Sequence, residues 1–253
     1  MRKIIYGKIS ERRIKIALIF LLTISLRFFL LYKFKDVIDA DQAVSGIIAL
    51  HIAEGRHFPL FYYGQAWLFP LDSYIASIFI KFFKNKIIAI KLGSLILYFI
   101  GFFLFAYLLK DNLALFLFGL SGYPLFYYSL KELHIATVLW GIILSILFFK
   151  IYNSDKIWVY ILYGFLSGWA LNFNFLTASF ILSALILILL KREYKKIFAV
   201  LVGIFVGHLP VFIRNTTCDF LTYKFLAASL IGYSPSTLFS YSFSLRISNI
   251  LQF

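Results

Sequence analysis

The sequence predicts an all-α, polytopic membrane protein, and three observations support that fold class. Hydrophobic residues make up 62% of the 253-residue chain and charged residues only 14%, with a mean hydropathy of +0.90. A soluble domain carries about a quarter charged residues, so this composition cannot cover a water-facing surface. Apolar runs of helix length recur along the chain, with basic residues at their ends. We therefore expect about seven transmembrane helices in the plasma membrane.

Seven apolar runs are bounded by charged or turn-forming residues, and each approaches the roughly 20 residues that cross a bilayer. They cover residues 14–33, 87–109, 112–129, 135–152, 157–175, 176–191 and 197–213. The third run contains Pro124, which is expected to kink it or to end it early. Two pairs of glycines spaced four residues apart, Gly164/Gly168 and Gly203/Gly207, predict close packing between helix backbones.

The distribution of basic residues predicts the orientation. The N-terminal arm and the segment 191–196 are the most basic parts of a chain whose formal charge is +14. By the positive-inside rule both lie in the cytoplasm, which leaves residues 34–86 and everything after Arg214 on the extracytoplasmic side. We expect a transmembrane module over residues 1–214 and an outer-face loop over 215–253. The basic residues flank apolar runs and form no recognition module, so membrane lipids and not nucleic acid are the expected partners.

The outer segment 34–86 is the most polar part of the chain, and carboxylates this close to a bilayer often mark function. A helix is predicted over residues 42–54, with Asp41 at its N-cap and Gly55 just after its end. Its predicted apolar stripe consists of Ala43, Val44, Ile47, Ile48 and Ile52. A second helix is predicted over residues 71–83. Both are too short to span, so we expect them to lie on the membrane surface.

Asp41 has two compatible interpretations, which the sequence leaves open. As a helix cap it would contribute about 1 kcal/mol to stability. As a general base it would face a cavity beneath the outer segment and accept a proton. Asp72 begins the second predicted surface helix, so the same two interpretations apply to it. Two carboxylates at the starts of neighbouring helices can converge on one pocket.

Several further side chains are candidates for binding a phosphate or a sugar. Arg56, His57, Tyr63 and Gln65 lie between the two aspartates and supply cationic and hydrogen-bonding groups. Lys131 and His134 belong to a turn on the same predicted face, for which an exposed charged turn is the favoured interpretation.

Two ionisable residues within the predicted spans call for separate interpretations. Arg27, near the outer end of the first run, is expected to snorkel or to meet an anion. His208 is expected to hydrogen-bond a neighbouring helix, because no second metal ligand lies three or four residues away. No zinc, P-loop, Rossmann or Ser-His-Asp pattern is present in the sequence.

The segment DQAVSGIIALHIAEGRHFPLFYYGQAWLFPLDSYIAS resembles the first outer loop of GT-C superfamily membrane glycosyltransferases. The similar branch is that of the protein mannosyltransferases and the lipid A aminoarabinose transferase. Weaker similarity extends through GFLSGWALNFNF and VGHLPVFIRN. Members of this family usually continue beyond the seventh helix, so we expect residues 215–253 to be a truncated remainder.

The resemblance implies an inverting transferase that moves a sugar from a polyprenyl-phosphate carrier to a hydroxyl of a lipid, glycan or protein. It implies Asp41 as the catalytic base and Asp72 as the second acidic position, with Gln42 in place of a frequent Glu. It does not fix the phosphate-binding cation among Arg56, His57, Lys131 and Arg214. The cofactor is unknown, because a divalent cation is compatible with the outer carboxylates but no ligand spacing demands one.

Two other classes of function stay open. A transporter or flippase for a lipid or small anion would carry ionisable groups at the bilayer midplane and often inverted repeats. Here the carboxylates cluster at one interface and the sequence contains no convincing repeat. The second class is an inactive membrane scaffold, which would bind no polyprenyl-phosphate sugar.

Overall fold

The structure, a computed structural model, describes residues 2–65, 68–120, 133–218, 220 and 222–224, with only the backbone described for residues 2–10, 133 and 134. These residues form helices and contain no β-strand. The helices are α1 Arg2–Lys33, α2 Ala40–Ala53, α3 Leu71–Ile80, α4 Lys86–Leu108, α5 Asn112–Leu120, α6 Leu133–Ile151, α7 Ile157–Leu171, α8 Ala178–Leu190 and α9 Tyr194–Thr216, with a 3₁₀ turn at Phe175–Thr177. The all-α prediction is confirmed for this part of the chain.

Three helical stretches within the described residues are long and apolar enough to cross a membrane. They are Glu11–Lys33, Lys86–Leu108 and Tyr194–Thr216, each 23 residues long. Roughly 20 residues suffice to span a bilayer, so their lengths fit. Shorter apolar helices occur at Ile135–Ile151, Ile157–Leu171 and Phe175–Leu190. The predicted third run extends past α5 into residues that the structure does not describe.

The chain divides into two compact units, which we describe separately. The first unit comprises residues up to Arg56 and from Leu71 to Lys150, and the second comprises His57–Pro70 and the chain from Ile151 onward.

In the first unit, α1, α4 and α5 pack around a core in which aromatic side chains are prominent, including Tyr98 and Phe102. Arg27 of α1 is fully buried there, with its guanidinium carbon 3.4 Å from the centroid of the Tyr98 ring. The expectation that Arg27 snorkels is therefore wrong. A planar guanidinium can stack on an aromatic face, which gives a buried arginine a favourable environment.

The connection between α3 and α4 ends one helix and starts the next. Asn85 caps α4, because its side chain accepts from the backbone N–H of Ile87 at 3.0 Å and of Ile88 at 3.2 Å. The Lys86 ammonium donates to the Ile80 carbonyl at 2.7 Å, which satisfies the end of α3. Helix α3 thus stops at Ile80, and the predicted end at residue 83 is wrong by three residues.

In the second unit, the backbones of α7 and α9 approach each other closely. A Cβ on Gly164 would overlap the Val200 carbonyl oxygen, and one on Gly207 would overlap the Phe165 carbonyl oxygen. Gly168 and Gly203 are equally enclosed by backbone of the opposite helix. The two glycine pairs predicted to pack closely therefore pack against each other, and only glycine allows this approach.

Candidate functional site

The start of α2 sets the position of every acidic residue near it. The Asp39 side chain accepts from the Gln42 backbone N–H at 2.9 Å, and the Gln42 side-chain oxygen accepts from the Asp39 N–H at 3.3 Å. This is a capping box, with Asp39 as the N-cap. The prediction that Asp41 caps a helix beginning at residue 42 is wrong, because Asp39 has Gln three residues later whereas Asp41 has Val44.

Asp41 consequently lies in the first turn of α2, and its side chain is exposed. The N-terminal end of a helix carries a partial positive charge, so it is a favourable place for a carboxylate. The capping role therefore belongs to Asp39, and the interpretation of Asp41 as a general base facing a cavity stays a prediction, since the cavity described below has other lining residues.

Asp72 lies in the first turn of α3, and its buried carboxylate accepts a hydrogen bond from the Ser45 hydroxyl at 2.8 Å. Ser45 follows Asp41 by one helical turn, and residues four apart lie on the same helix face. The structure thus places Asp72 against a residue of α2 that follows Asp41 by one turn. We call Asp41, Ser45 and Asp72 the acidic row.

Helices α2 and α3 run in the same direction. Ser45 meets Asp72, and one turn further along each helix Ala49 and Ala76 belong to one core cluster. Their N-terminal ends therefore lie side by side, each with an aspartate in its first turn. Helix α4 supports this pair, because a Cβ on Gly93 would lie 3.1 Å from the Asp72 carbonyl oxygen.

The buried face of α2 differs from the predicted apolar stripe. It consists of Gln42, Ser45, Ile48, Ala49 and Ile52, whereas Ile47 is exposed. Close packing between helices in a membrane favours small and polar residues, and lipid can cover an exposed isoleucine. Apolar periodicity therefore identified the helix but misplaced part of its buried face.

Lys91 is a functional candidate that sequence reasoning missed. It lies buried in α4, and its ammonium donates to the Phe34 carbonyl and, at 2.6 Å, to the Val37 carbonyl. Lys91 thereby holds the connector that leads from α1 into the acidic end of α2. The available signal was a charged residue inside an apolar run, since such residues are costly in a membrane unless they have a specific role.

The other residues predicted to bind a phosphate or a sugar lie in different parts of the chain. Arg56 is exposed and ion-paired with Glu54 just after α2. In the second unit, Nδ1 of His57 lies 3.0 Å from the Tyr63 hydroxyl, and both residues are half-buried. Gln65, also half-buried, donates its backbone N–H to the Tyr62 carbonyl at 3.0 Å. Lys131 and the side chain of His134 lie outside the described residues.

A polar contact joins α7 to α9 in the second unit. Asn172, at the end of α7, donates its amide to the Gly207 carbonyl at 3.0 Å and accepts from Nδ1 of His208 at 2.6 Å. Because the asparagine amide nitrogen is already a donor, its oxygen is the acceptor and His208 carries the proton on Nδ1. The prediction that His208 bonds a neighbouring helix is confirmed, and the predicted run 157–175 breaks at Asn172.

The second unit also contains an open cavity of about 560 Å³. Its described walls come from the 57–70 connector and from α9. The apolar part includes Leu60, Phe61, Val206, Leu209 and Ile213. Arg214 and Thr217 line the polar part, toward and beyond the last turn of α9.

Fold and site together define a coarse class: an all-helical chain with three helices suited to cross a membrane and paired acidic helix starts. Comparisons with family models, with curated proteins and with solved structures found no match for this chain. Within the described residues, no group of three or more His, Cys, Asp and Glu side chains could hold a metal ion.

Proposed function

We propose that this protein is a membrane glycosyltransferase that moves a sugar from a polyprenyl-phosphate donor to a hydroxyl acceptor. The reaction takes place at the extracytoplasmic face of the plasma membrane, and the acceptor is a lipid, a glycan or a protein. The observation that carries the proposal is the acidic row, in which exposed Asp41 lies one turn from the Ser45–Asp72 hydrogen bond.

In the proposed reaction one proton is transferred, one bond forms and one bond breaks. The Asp41 carboxylate accepts the proton of the acceptor hydroxyl, whose oxygen forms a new bond to the anomeric carbon of the sugar. The bond from that carbon to the phosphate oxygen breaks, and its electron pair leaves with the polyprenyl phosphate. Attack opposite the leaving group inverts the anomeric configuration. A positioned general base of this kind contributes about 10²- to 10⁴-fold to rate.

Asp72 serves as a positioning residue in this proposal. Its carboxylate is buried and accepts a hydrogen bond from Ser45, so it holds α2 against α3 one helical turn from Asp41. Lys91 of α4 also contributes, because its ammonium anchors the connector that precedes α2. Catalysis depends on holding the base in a productive geometry, which both contacts favour.

The membrane topology of the proposal includes more than the three long helices. Helix α6 has 19 residues, which lies within the range of about 17 to 25 that can span a bilayer. We infer that α5 to α8 complete a seven-helix arrangement with a cytoplasmic N-terminus. An apolar helix face would then line the prenyl chain of the donor while the sugar occupies the polar interface.

The test is sugar transfer by purified protein in proteoliposomes, with a panel of radiolabelled polyprenyl-phosphate hexoses and pentoses as donors. Asp41→Asn is expected to lower transfer at least about 100-fold. Asp36→Asn is the matched control, because Asp36 is also exposed near the start of α2 but lies outside the acidic row. Transfer by Asp41→Asn at the control rate would refute the base assignment.

The same proteoliposomes separate the competing functions. A transporter or flippase would move labelled lipid or anion across the bilayer and leave the sugar attached to its carrier. An inactive scaffold would neither bind nor consume any donor in the panel. Release of free polyprenyl phosphate with a glycosylated product is the outcome that the transferase proposal requires.

A further inference from the structure

The cavity in the second unit, which we call the groove, has a volume of about 560 Å³ and a mostly apolar wall. Val206, Leu209 and Ile213 recur along α9, and Leu60 and Phe61 of the connector form further wall. From Val206 to Arg214 the helix rises about 12 Å, at roughly 1.5 Å per residue. One leaflet of a bilayer has a hydrocarbon depth of about 15 Å, half of the roughly 30 Å core. The lining stretch of α9 is thus nearly as long as one leaflet is deep.

The charge on the groove lies at one end only. Arg214 is the charged residue among its described lining residues, and it is exposed in the last turn of α9. The carbonyl oxygen of Arg214 accepts from the Thr217 hydroxyl at 2.7 Å and from the Thr217 N–H at 3.2 Å. Because this carbonyl oxygen already accepts two hydrogen bonds, an anion bound at the Arg214 guanidinium would not lie next to an unbonded carbonyl oxygen. A guanidinium fork suits a phosphate, with which it forms short, charge-assisted hydrogen bonds.

We propose that this groove is a binding site for an anionic phospholipid. One acyl chain lies along the apolar wall from Leu209 to Val206, and the phosphate lies at Arg214. All of its described lining residues belong to the second unit, and the site does not depend on the transferase proposal. Arg214 at a helix C-terminus would also interact favourably with the helix dipole, but that role alone predicts no preference among lipids.

The test uses the delipidated full-length chain in detergent, with lipid binding measured by native mass spectrometry. The probes are phosphatidylglycerol, phosphatidylcholine with the same acyl chains, polyprenyl phosphate and inorganic phosphate. We expect phosphatidylglycerol to bind more tightly than phosphatidylcholine. Arg214→Gln is expected to weaken phosphatidylglycerol binding about fivefold or more, and to weaken phosphatidylcholine binding less, because the choline group of that lipid neutralises the charge of its phosphate.

A second variant tests the groove independently of the charge. Leu209→Trp should fill the apolar wall and weaken binding of both phospholipids. Leu201→Trp is its matched control, because Leu201 is an exposed leucine of α9 that does not line the groove. Arg13→Gln is the control for Arg214→Gln, since Arg13 is an exposed arginine of α1 in the first unit.

Three outcomes would overturn the proposal. One is equal phosphatidylglycerol binding by the native chain, Arg214→Gln and Leu209→Trp. Another is displacement of phosphatidylglycerol by inorganic phosphate alone, which would mean that the acyl chain is not recognised. The third is a loss of polyprenyl phosphate binding in Arg214→Gln and Leu209→Trp that exceeds their loss of phosphatidylglycerol binding, which would assign the groove to a prenyl chain instead.

Discussion

Helix pairs in the two units are built on opposite principles. Between α7 and α9 in the second unit, glycines remove side chains so that the two backbones touch. Between α2 and α3 in the first unit, a serine and a buried aspartate meet in the contact. Glycine packing stabilises helices in a membrane without polar groups, whereas a buried carboxylate is costly. Under the proposed function, the contact between α7 and α9 serves stability, and the acidic row positions the proposed base at the cost of burying a carboxylate.

The largest effect should come from the glycine contact. Gly207→Ala places a methyl group against the Phe165 carbonyl oxygen, and we expect it to lower the free energy of unfolding by about 2–3 kcal/mol. Gly101→Ala is the matched control, since its nearest neighbour would be Ile142 Cδ1 at an ordinary 3.9 Å. Helix propensity alone should make that control neutral or up to about 1 kcal/mol more stable. Unfolding in mixed detergent micelles measures both, and equal losses would contradict the packing account.

The next effect concerns the acidic row. Ser45→Ala removes the hydroxyl that donates to buried Asp72, and we expect a loss of about 1–3 kcal/mol in the free energy of unfolding. Ser77→Ala is the control, because the buried Ser77 hydroxyl donates only within its own helix, to the Tyr74 carbonyl. Unfolding in the same micelles should show a much smaller loss of unfolding free energy for Ser77→Ala than for Ser45→Ala. A Ser45→Ala loss no larger than that of the control would remove the structural role assigned to Asp72.

A smaller effect distinguishes the two aspartates at the start of α2. Asp39→Ala deletes the N-cap and should cost about 1 kcal/mol of unfolding free energy. Asp41→Asn keeps a polar side chain of the same size in the first turn and should change stability by less than about 0.5 kcal/mol. Thermal unfolding followed by circular dichroism compares the two variants directly. A reversed order would return the capping role to Asp41.

The smallest effect should come from Ser94. Its buried hydroxyl has no hydrogen-bond partner among the residues that the structure describes. Ser94→Ala removes a desolvated polar group, so we expect stability to stay within about 0.5 kcal/mol or to rise. Chemical denaturation of this variant beside Ser45→Ala checks the difference. A clear loss for Ser94→Ala would point to a partner at that hydroxyl.

Much of the helical pattern was predictable because apolar length and charged boundaries are local signals. The true start of α2 was predictable as well, since Asp39 and Gln42 have the spacing of a capping box and Asp41 lacks it. Asp41 lies nearer the apolar stripe, but the capping-box spacing is the stronger signal for the helix start.

Other features depend on contacts between distant parts of the chain. Lys91 bonds carbonyls 57 and 54 residues earlier, and no local pattern identifies those partners. The pairing of Ser45 with Asp72, 27 residues apart, depends likewise on how α2 and α3 pack. The sequence identified the glycine spacings but not which helices they join, because many helix pairs satisfy the same spacing.

One measurement tests the central claim most directly: donor binding and turnover followed together in the same sample of purified Asp41→Asn protein. Mass spectrometry can quantify the bound polyprenyl-phosphate sugar and its conversion over time. The account predicts that this variant retains the donor and does not transfer the sugar, while Asp36→Asn does both. Transfer at the native rate by Asp41→Asn, or a native chain that binds no donor of this class, would contradict it.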